Sequence, residues 1–423
     1  MIELPKVIVH MIETIEDAGF EAYAVGGCVR DSILGRHPED WDLTSNASRE
    51  TLEALFPNAA IVNKKLGVMR ITEDSITAEI AAYRIEGTYS DYRRPDTVIF
   101  TENLEEDLRR RDFTMNAIGL NPRRGLVDPY RGMEDIEARL IRGIGDPSVR
   151  FEEDALRILR AARFAAQLGF SVDPVTLGAM NEKSNLLVHI STERIREELI
   201  KTLRAPNAGN GLRILLETGA APYLFGEACA CGISEREIAA LFELTDSIDR
   251  TRSEPDIRLA LMYLCLGEER AYCAIDHLRY SNEMKELLRC AVGMSEKLEG
   301  TCDKTELKRL ISRIGMKLYR FLAAVSGQWA ETGLPERIRQ GSGHEQTAAK
   351  NRELWFGEIC SGGEPLFLSD MAVGGQDLLE TGIAYGTEIG RILNLLLQEV
   401  LQDPSKNTKA QLLQIAADAE RIQ

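Results

Sequence analysis

The sequence contains no run of about 18 consecutive apolar residues, so no helix spanning a bilayer is expected. Its start, Met1-Ile2-Glu3-Leu4-Pro5-Lys6, lacks the basic-then-apolar layout of a secretory signal, and a cytoplasmic protein is expected. Histidine is scarce. There are five in 423 residues and none precedes an Asp, which argues against a histidine-based metal hydrolase and leaves no His-Asp pair for a phosphohydrolase domain. The eight cysteines, at 28, 229, 231, 265, 273, 290, 302 and 360, form no Cys-x-x-Cys. Reduced, mostly buried thiols account for them better than zinc does. Positive charge is also short: 51 Lys and Arg against 67 Asp and Glu leave −16. Taken alone that total argues against nucleic-acid binding, which needs a positive surface, yet a sum can conceal a local basic face.

What remains is an ordinary globular composition, 44% hydrophobic and 28% charged, on a chain too long for one core. Residues 5–19 carry Val7, Met11, Ile12 and Ile15 at helical spacing. Ala22-Tyr23-Ala24-Val25 reads as a short strand running into Gly26-Gly27, and residues 29–34 as a helix stopped by Gly35. Residues 41–44 and 75–81 alternate as strands do. From Phe151 onward helical patterns dominate, as at 155–164, 195–203, 212–216, 257–266 and 389–401. Residues 328–351, rich in Gly, Gln, Ser and charge, read as a linker or loop. The expected architecture is an α/β head, a small mixed sheet with flanking helices, followed by an extended all-α body and tail. The expected divisions are a head at 1–150, a neck at 151–205, a helical body at 206–330 and a helical tail at 331–423.

Asp40 and Asp42 are two residues apart on an expected strand, where side chains at i and i+2 share a face. Two hard oxygen ligands at one spot suit Mg²⁺, which keeps some waters and takes its other ligands from phosphates. Glu79, on another expected strand, is a candidate third ligand. An Asp-x-Asp alone is a common, solvated pattern. Just upstream, however, Val25-Gly26-Gly27-Cys28-Val29-Arg30-Asp31 couples a strand end, two glycines, a helix start and an Arg. Gly27 allows close backbone approach to a phosphate, and Arg30 offers a planar donor for its oxygens.

These segments, with Leu34-Gly35-Arg36, resemble the head of the tRNA nucleotidyltransferase and poly(A) polymerase family. Arg109-Arg110-Arg111-Asp112-Phe113-Thr114-Met115-Asn116-Ala117 resembles the family's second motif. Asp128-Pro129-Tyr130 with Gly132, Asp135 and Arg142 resembles the third. The run from Arg150 to Arg157, with Arg160, Arg163 and Phe164, resembles the nucleotide-selecting motif, and residues 192–198 resemble the fifth. The resemblance is strongest to bacterial class II CCA-adding enzymes. It implies addition of C, C and A to the tRNA 3′ end from CTP and ATP, with Mg²⁺ held at catalytic Asp40 and Asp42. It implies nucleotide binding by Gly27, Arg30, Arg111, Asp154, Arg157, Arg160 and Arg163, and tRNA binding in the tail. A homodimer is one assembly it permits.

On a helix starting near Glu153, Asp154 and Arg157 would share a face at i, i+3. A carboxylate accepts from the exocyclic amino group of cytosine or adenine, and an Arg donates to the adjacent ring nitrogen. Uracil and guanine present the opposite pattern, so one Asp–Arg pair would accept CTP and ATP and refuse UTP and GTP. Residues 84–95 resemble the family's flexible loop, and their presence favours full CCA addition over CC alone. Lys304, Lys308, Arg309, Arg313, Lys317 and Arg320 are expected to form a basic helical stripe for tRNA backbone. The alternatives are a poly(A) polymerase or an A-only or CC-only enzyme of the same family. From another class, a catalytically dead RNA-binding or nucleotide-sensing protein stays open.

Overall fold

The computed structural model describes residues 3–38, 40–63, 66–87, 95–226, 233–333 and 345–421. Contacts divide the chain into two compact units, Met1–Gly232 and Ile233–Gln423.

The first unit opens with helix α1 (Lys6–Asp17), which buries Ile8, Met11, Ile12 and Ile15 on one stripe. Strand β1 (Ala22–Val25) is buried throughout and ends at Gly26, from which α2 (Gly27–Ile33) departs. Strand β2 (Trp41–Ser45) follows, then α3 (Arg49–Leu55), β3 (Ala60–Asn63), β4 (Val68–Glu73) and β5 (Ile76–Ala82). After the short ribbon of β6 (Arg84–Glu86) and β7 (Val98–Phe100) come α4 (Leu104–Arg109), β8 (Gly119–Asn121) and β9 (Gly125–Val127). Seven strands make one sheet in the order β3-β4-β5-β2-β1-β8-β9. Within this sheet, among the described residues, only β2 and β5 pair in parallel, with Asp42 opposite Glu79. The α/β head with a mixed sheet is therefore present.

Helices α5 (Gly132–Glu137), α6 (Pro147–Glu153), α7 (Leu156–Leu168), α8 (Pro174–Lys183), α9 (Thr192–Arg204), α10 (Ala208–Glu217) and α11 (Ala221–Phe225) follow in the same unit. Helix α7 is buried on nearly every side because it packs against both α9 and α10. That packing needs glycine at 211. A Cβ there would stand 2.6 Å from Thr202 Cγ2, 2.8 Å from the Ala162 carbonyl oxygen and 2.8 Å from Ala166 Cβ.

The second unit is helical among its described residues, with cores around Leu307, Leu322 and Leu401 and around Leu378, Leu396 and Leu412. Two expectations change here. The stretch 328–351 is less irregular than its composition suggests: one helix continues to Thr332 and another starts at Glu345. Residues 334–344 lie outside the described residues, as do 88–94 of the expected flexible loop and Cys229 and Cys231. The expected basic stripe is broken, because Gly315 (φ 86°) separates the helices Lys304–Ile314 and Met316–Thr332. Lys308 is buried and paired with Glu364 at 2.9 Å, while Lys304 pairs with Glu358 and Lys317 with Glu283. Arg313 and Arg320 alone keep exposed side chains with no partner among the described residues.

Replacing Gly211 by Ala gains helix preference of about 1 kcal/mol but overpacks three neighbours. The clash is expected to win, with a net loss of about 2 kcal/mol in a urea melt. Equal or greater stability for Gly211→Ala would show that α10 can shift freely.

Candidate nucleotide-binding site

At the end of β1, Gly26 takes φ 81° and ψ −138°, a conformation that a side chain would strain. A Cβ there would also stand 2.9 Å from Arg111 Nη1 and 3.5 Å from Asp42 Oδ2. Gly26 is thus the glycine the geometry demands, since it lets Arg111 and Asp42 close over the strand end. A Cβ on the expected Gly27 would meet only Arg30 Nη2, at an ordinary 3.5 Å. Cys28 points back under the turn and donates to the Val25 carbonyl at 3.2 Å; burial pushes its thiol up to about 11.

A cavity of about 1080 Å³ opens here. Nine of the ten residues expected from sequence line it: Gly27, Arg30, Asp40, Asp42, Arg111, Asp154, Arg157, Arg160 and Arg163. Ten Arg and Lys side chains face six Asp and Glu across this cavity, reversing the sign of the whole chain. A polyanion is what such a lining attracts.

Strand β2 begins at Trp41, so Asp40 stands just before it rather than on it. Both carboxylates are exposed to the cavity, and neither makes a hydrogen bond or ion pair with any described residue. The surrounding protein desolvates the Asp42 carboxyl and holds it above the usual range. Arg111 opposes that rise, while Glu79 and Asp40 add to it. Two unpaired hard-oxygen donors beside each other fit a divalent ion. Among the described residues no third His, Cys, Asp or Glu completes a ready-made metal cluster. Glu79 lies outside the cavity lining. Arg70 donates to its Oε1 from Nε at 3.1 Å and from Nη2 at 2.6 Å, which satisfies that oxygen and leaves Oε2 uncommitted.

The neck differs from expectation at one telling point. Asp154 is not on a helix with Arg157; it sits in extended backbone (φ −142°, ψ 100°) between α6 and α7. There it accepts the backbone N–H of Leu156 at 3.1 Å, and Arg194 of α9 holds both its oxygens at 3.4 and 3.2 Å. Arg157 is anchored by Glu153 Oε2 at 2.8 Å and by the carbonyls of Arg150 and Arg110 at 3.2 and 2.9 Å. These bonds use Nη1 and Nη2, so Nε is uncommitted. The Asp–Arg pair is present in one cavity, but a chain break rather than helical spacing presents it.

These residues belong to a largely buried polar network whose pairings sequence reading did not single out. Arg160 donates from Nε (2.8 Å) and Nη2 (2.5 Å) to Asp112 Oδ2. Asn116 donates to Asp112 Oδ1 at 2.9 Å and accepts from Arg30 Nη1 at 2.6 Å. Arg30 also donates to both oxygens of Asp31, at 2.9 and 3.0 Å. Arg163 pairs with Glu198 at 3.3 Å. Burial pulls the Arg163 guanidinium down to about 10, and the Arg160 charge adds to that. The motif containing Asp112 and the downstream Arg160 were each visible; their pairing across 48 residues was not.

Burial works against the Asp112 carboxylate, but Arg160 and Asn116 outweigh it and hold its pKa below the usual range. A depressed carboxylate contributes stability above its unfolded pKa, and that contribution is lost as pH falls through the lowered folded value. Asp112→Asn is expected to cost about 3 kcal/mol at pH 7 by orphaning Arg160. The gap to wild type should narrow below about pH 4. A gap that stays constant into acid, followed by circular dichroism, would contradict this ion pair.

Residues 22–142 match the family described as "Poly A polymerase head domain", and residues 169–231 match "Probable RNA and SrmB- binding site of polymerase A". A CCA-adding enzyme of Lactobacillus helveticus is 43% identical over 219 residues, 51% of this chain and 55% of that protein. The chain thus aligns with about half the length of that curated relative. Over nearly the whole length, a CCA-adding enzyme of Latilactobacillus sakei is 31% identical across 416 residues, 96% of each chain. The crystal structure of the Bacillus stearothermophilus CCA-adding enzyme in complex with CTP superposes with a TM-score of 0.78 at 27% identity, covering 99% of both chains. With the head matched by its family and a relative aligned from end to end, the chain belongs to the family of CCA-adding nucleotidyltransferases.

Proposed function

We propose that this protein adds C, C and A to the 3′ end of tRNA, drawing on CTP and ATP and releasing pyrophosphate. The observation that carries the reading is the pair of unpartnered carboxylates, Asp40 and Asp42, at the edge of a basic cavity that also holds Asp154 and Arg157. The Bacillus stearothermophilus relative of the same fold binds CTP in its crystal structure, which supports a nucleotide in this cavity.

Phosphoryl transfer asks mainly for positioning and charge neutralisation. Asp40 and Asp42 would hold Mg²⁺ ions, with Glu79, opposite Asp42 and with Oε2 uncommitted, as a candidate third ligand. When bound, the metals would neutralise the triphosphate and lower the pKa of the RNA 3′-hydroxyl. Gly27, Arg30 and Arg111 would receive phosphate oxygens, with Arg160 and Arg163 further along the same wall. Asp154 would accept the exocyclic amino hydrogen of cytosine or adenine, sharing its oxygens with Arg194. Arg157, fixed by three bonds, would offer Nε to the adjacent ring nitrogen. Selection then needs no nucleic-acid template, because uracil and guanine present a carbonyl to the Asp154 carboxylate. In this reading the head runs to residue 150, the neck to 205 and the body to 330, and the tail from 331 meets tRNA.

Transfer RNA lacking its 3′ end, given Mg²⁺ and single labelled nucleotides, should gain C from CTP and be completed with ATP. UTP and GTP should add nothing. Asp42→Ala should reduce extension by at least about 100-fold without changing the melting temperature, since it removes a metal ligand. Folded wild-type protein that extends no acceptor would sink the reading; an active Asp42→Ala variant would place the metals elsewhere.

A further inference from the structure

Three arginines of the cavity share one neighbour. The guanidinium carbons of Arg163, Arg30 and Arg160 lie 4.4, 5.0 and 5.3 Å from the centre of the Phe164 ring. Each of those distances is within the range at which a cation is attracted by an aromatic quadrupole. Arg30 comes from α2, at the catalytic turn, while Arg160 and Arg163 come from α7. Phe164 therefore joins elements that are far apart in the chain.

The ring itself is held. Phe113 meets it edge-on, with centroids 5.9 Å apart and planes at 88°, and both side chains are buried. Each arginine also has a carboxylate at one end: Asp31 for Arg30, Asp112 for Arg160 and Glu198 for Arg163. Those pairings leave Arg160 Nη1 and Arg163 Nη2 without a partner among the described residues. Gathering three like charges around one side chain is unfavourable unless something offsets the repulsion. The carboxylates do so at the periphery, and the ring's negative face does so at the centre. An aliphatic side chain of similar volume would fill the space and supply no such field.

We infer that Phe164 is a positioning residue for nucleotide binding, acting through its aromatic face to hold Arg30, Arg160 and Arg163 as a preset cradle for the triphosphate. The inference rests on the cavity being the nucleotide site. It requires that the effect be common to CTP and ATP, since the ring acts on phosphate-facing groups and not on Asp154.

Dissociation constants for CTP and ATP, together with KM and kcat for extension, should be measured on wild type, Phe164→Leu and Phe164→Tyr. Phe164→Leu should weaken both nucleotides about 10-fold, raise KM in parallel and leave kcat within about twofold. Phe164→Tyr should restore affinity, because it returns the aromatic face. Melting curves accompany each variant, and Phe164→Met stands in if the Leu variant does not fold. Wild-type affinity in Phe164→Leu would overturn the inference, as would a Tyr variant no better than Leu. Wild-type protein that binds neither nucleotide would instead overturn the nucleotide-site reading beneath it.

Discussion

The cavity depends on a part-buried ion pair, Arg160 on the buried Asp112, that fastens helix α7 to the α/β head. From Asp112 the bonding runs through Asn116 to Arg30 on the helix after the glycine turn. A second tie, from Arg157 to the Arg110 carbonyl, fixes the same helix to the same segment. Buried ion pairs contribute little net stability, because desolvation cancels most of their attraction. What this one supplies is placement. It ties the helix that follows Asp154 to the segment that leads to Arg30, and transfer chemistry is sensitive to small misplacements.

Charge is divided in the same economical way. The chain carries −16 overall, yet its cavity is lined by more cations than anions. Most acidic residues of the cavity are committed to arginines, as Asp31, Asp112 and Asp154 show. Asp40 and Asp42 are not. The contrast separates carboxylates that organise arginines from carboxylates available to a metal, and no inspection of composition could have made it.

Much of the head was legible because its signals are local. The stripe of Ile8, Met11, Ile12 and Ile15, the strand before Gly26 and the strand carrying Asp42 all appear where hydrophobic spacing put them. The errors share a cause: they concern where a pattern stops. Asp154 obeys helical spacing with Arg157, but the chain breaks there because its carboxylate caps the next helix and meets Arg194, forty residues away. The basic stripe failed at Gly315, and Lys308 proved to be a buried partner of Glu364, 56 residues downstream. The Arg70 bond to one oxygen of Glu79 was likewise not visible, although the strand carrying Glu79 was. Long-range pairings of this kind leave no periodic trace.

The central claim is that Asp154, presented at a helix break, reads the amino group of the incoming base. The most direct measurement is the ratio of CTP and ATP incorporation to UTP and GTP incorporation by Asp154→Ala, at saturating tRNA and Mg²⁺. The account predicts that the ratio falls at least about tenfold, with extension still detectable, as expected for loss of one base-reading contact. An unchanged ratio in an active variant would contradict it and move nucleotide selection to other residues.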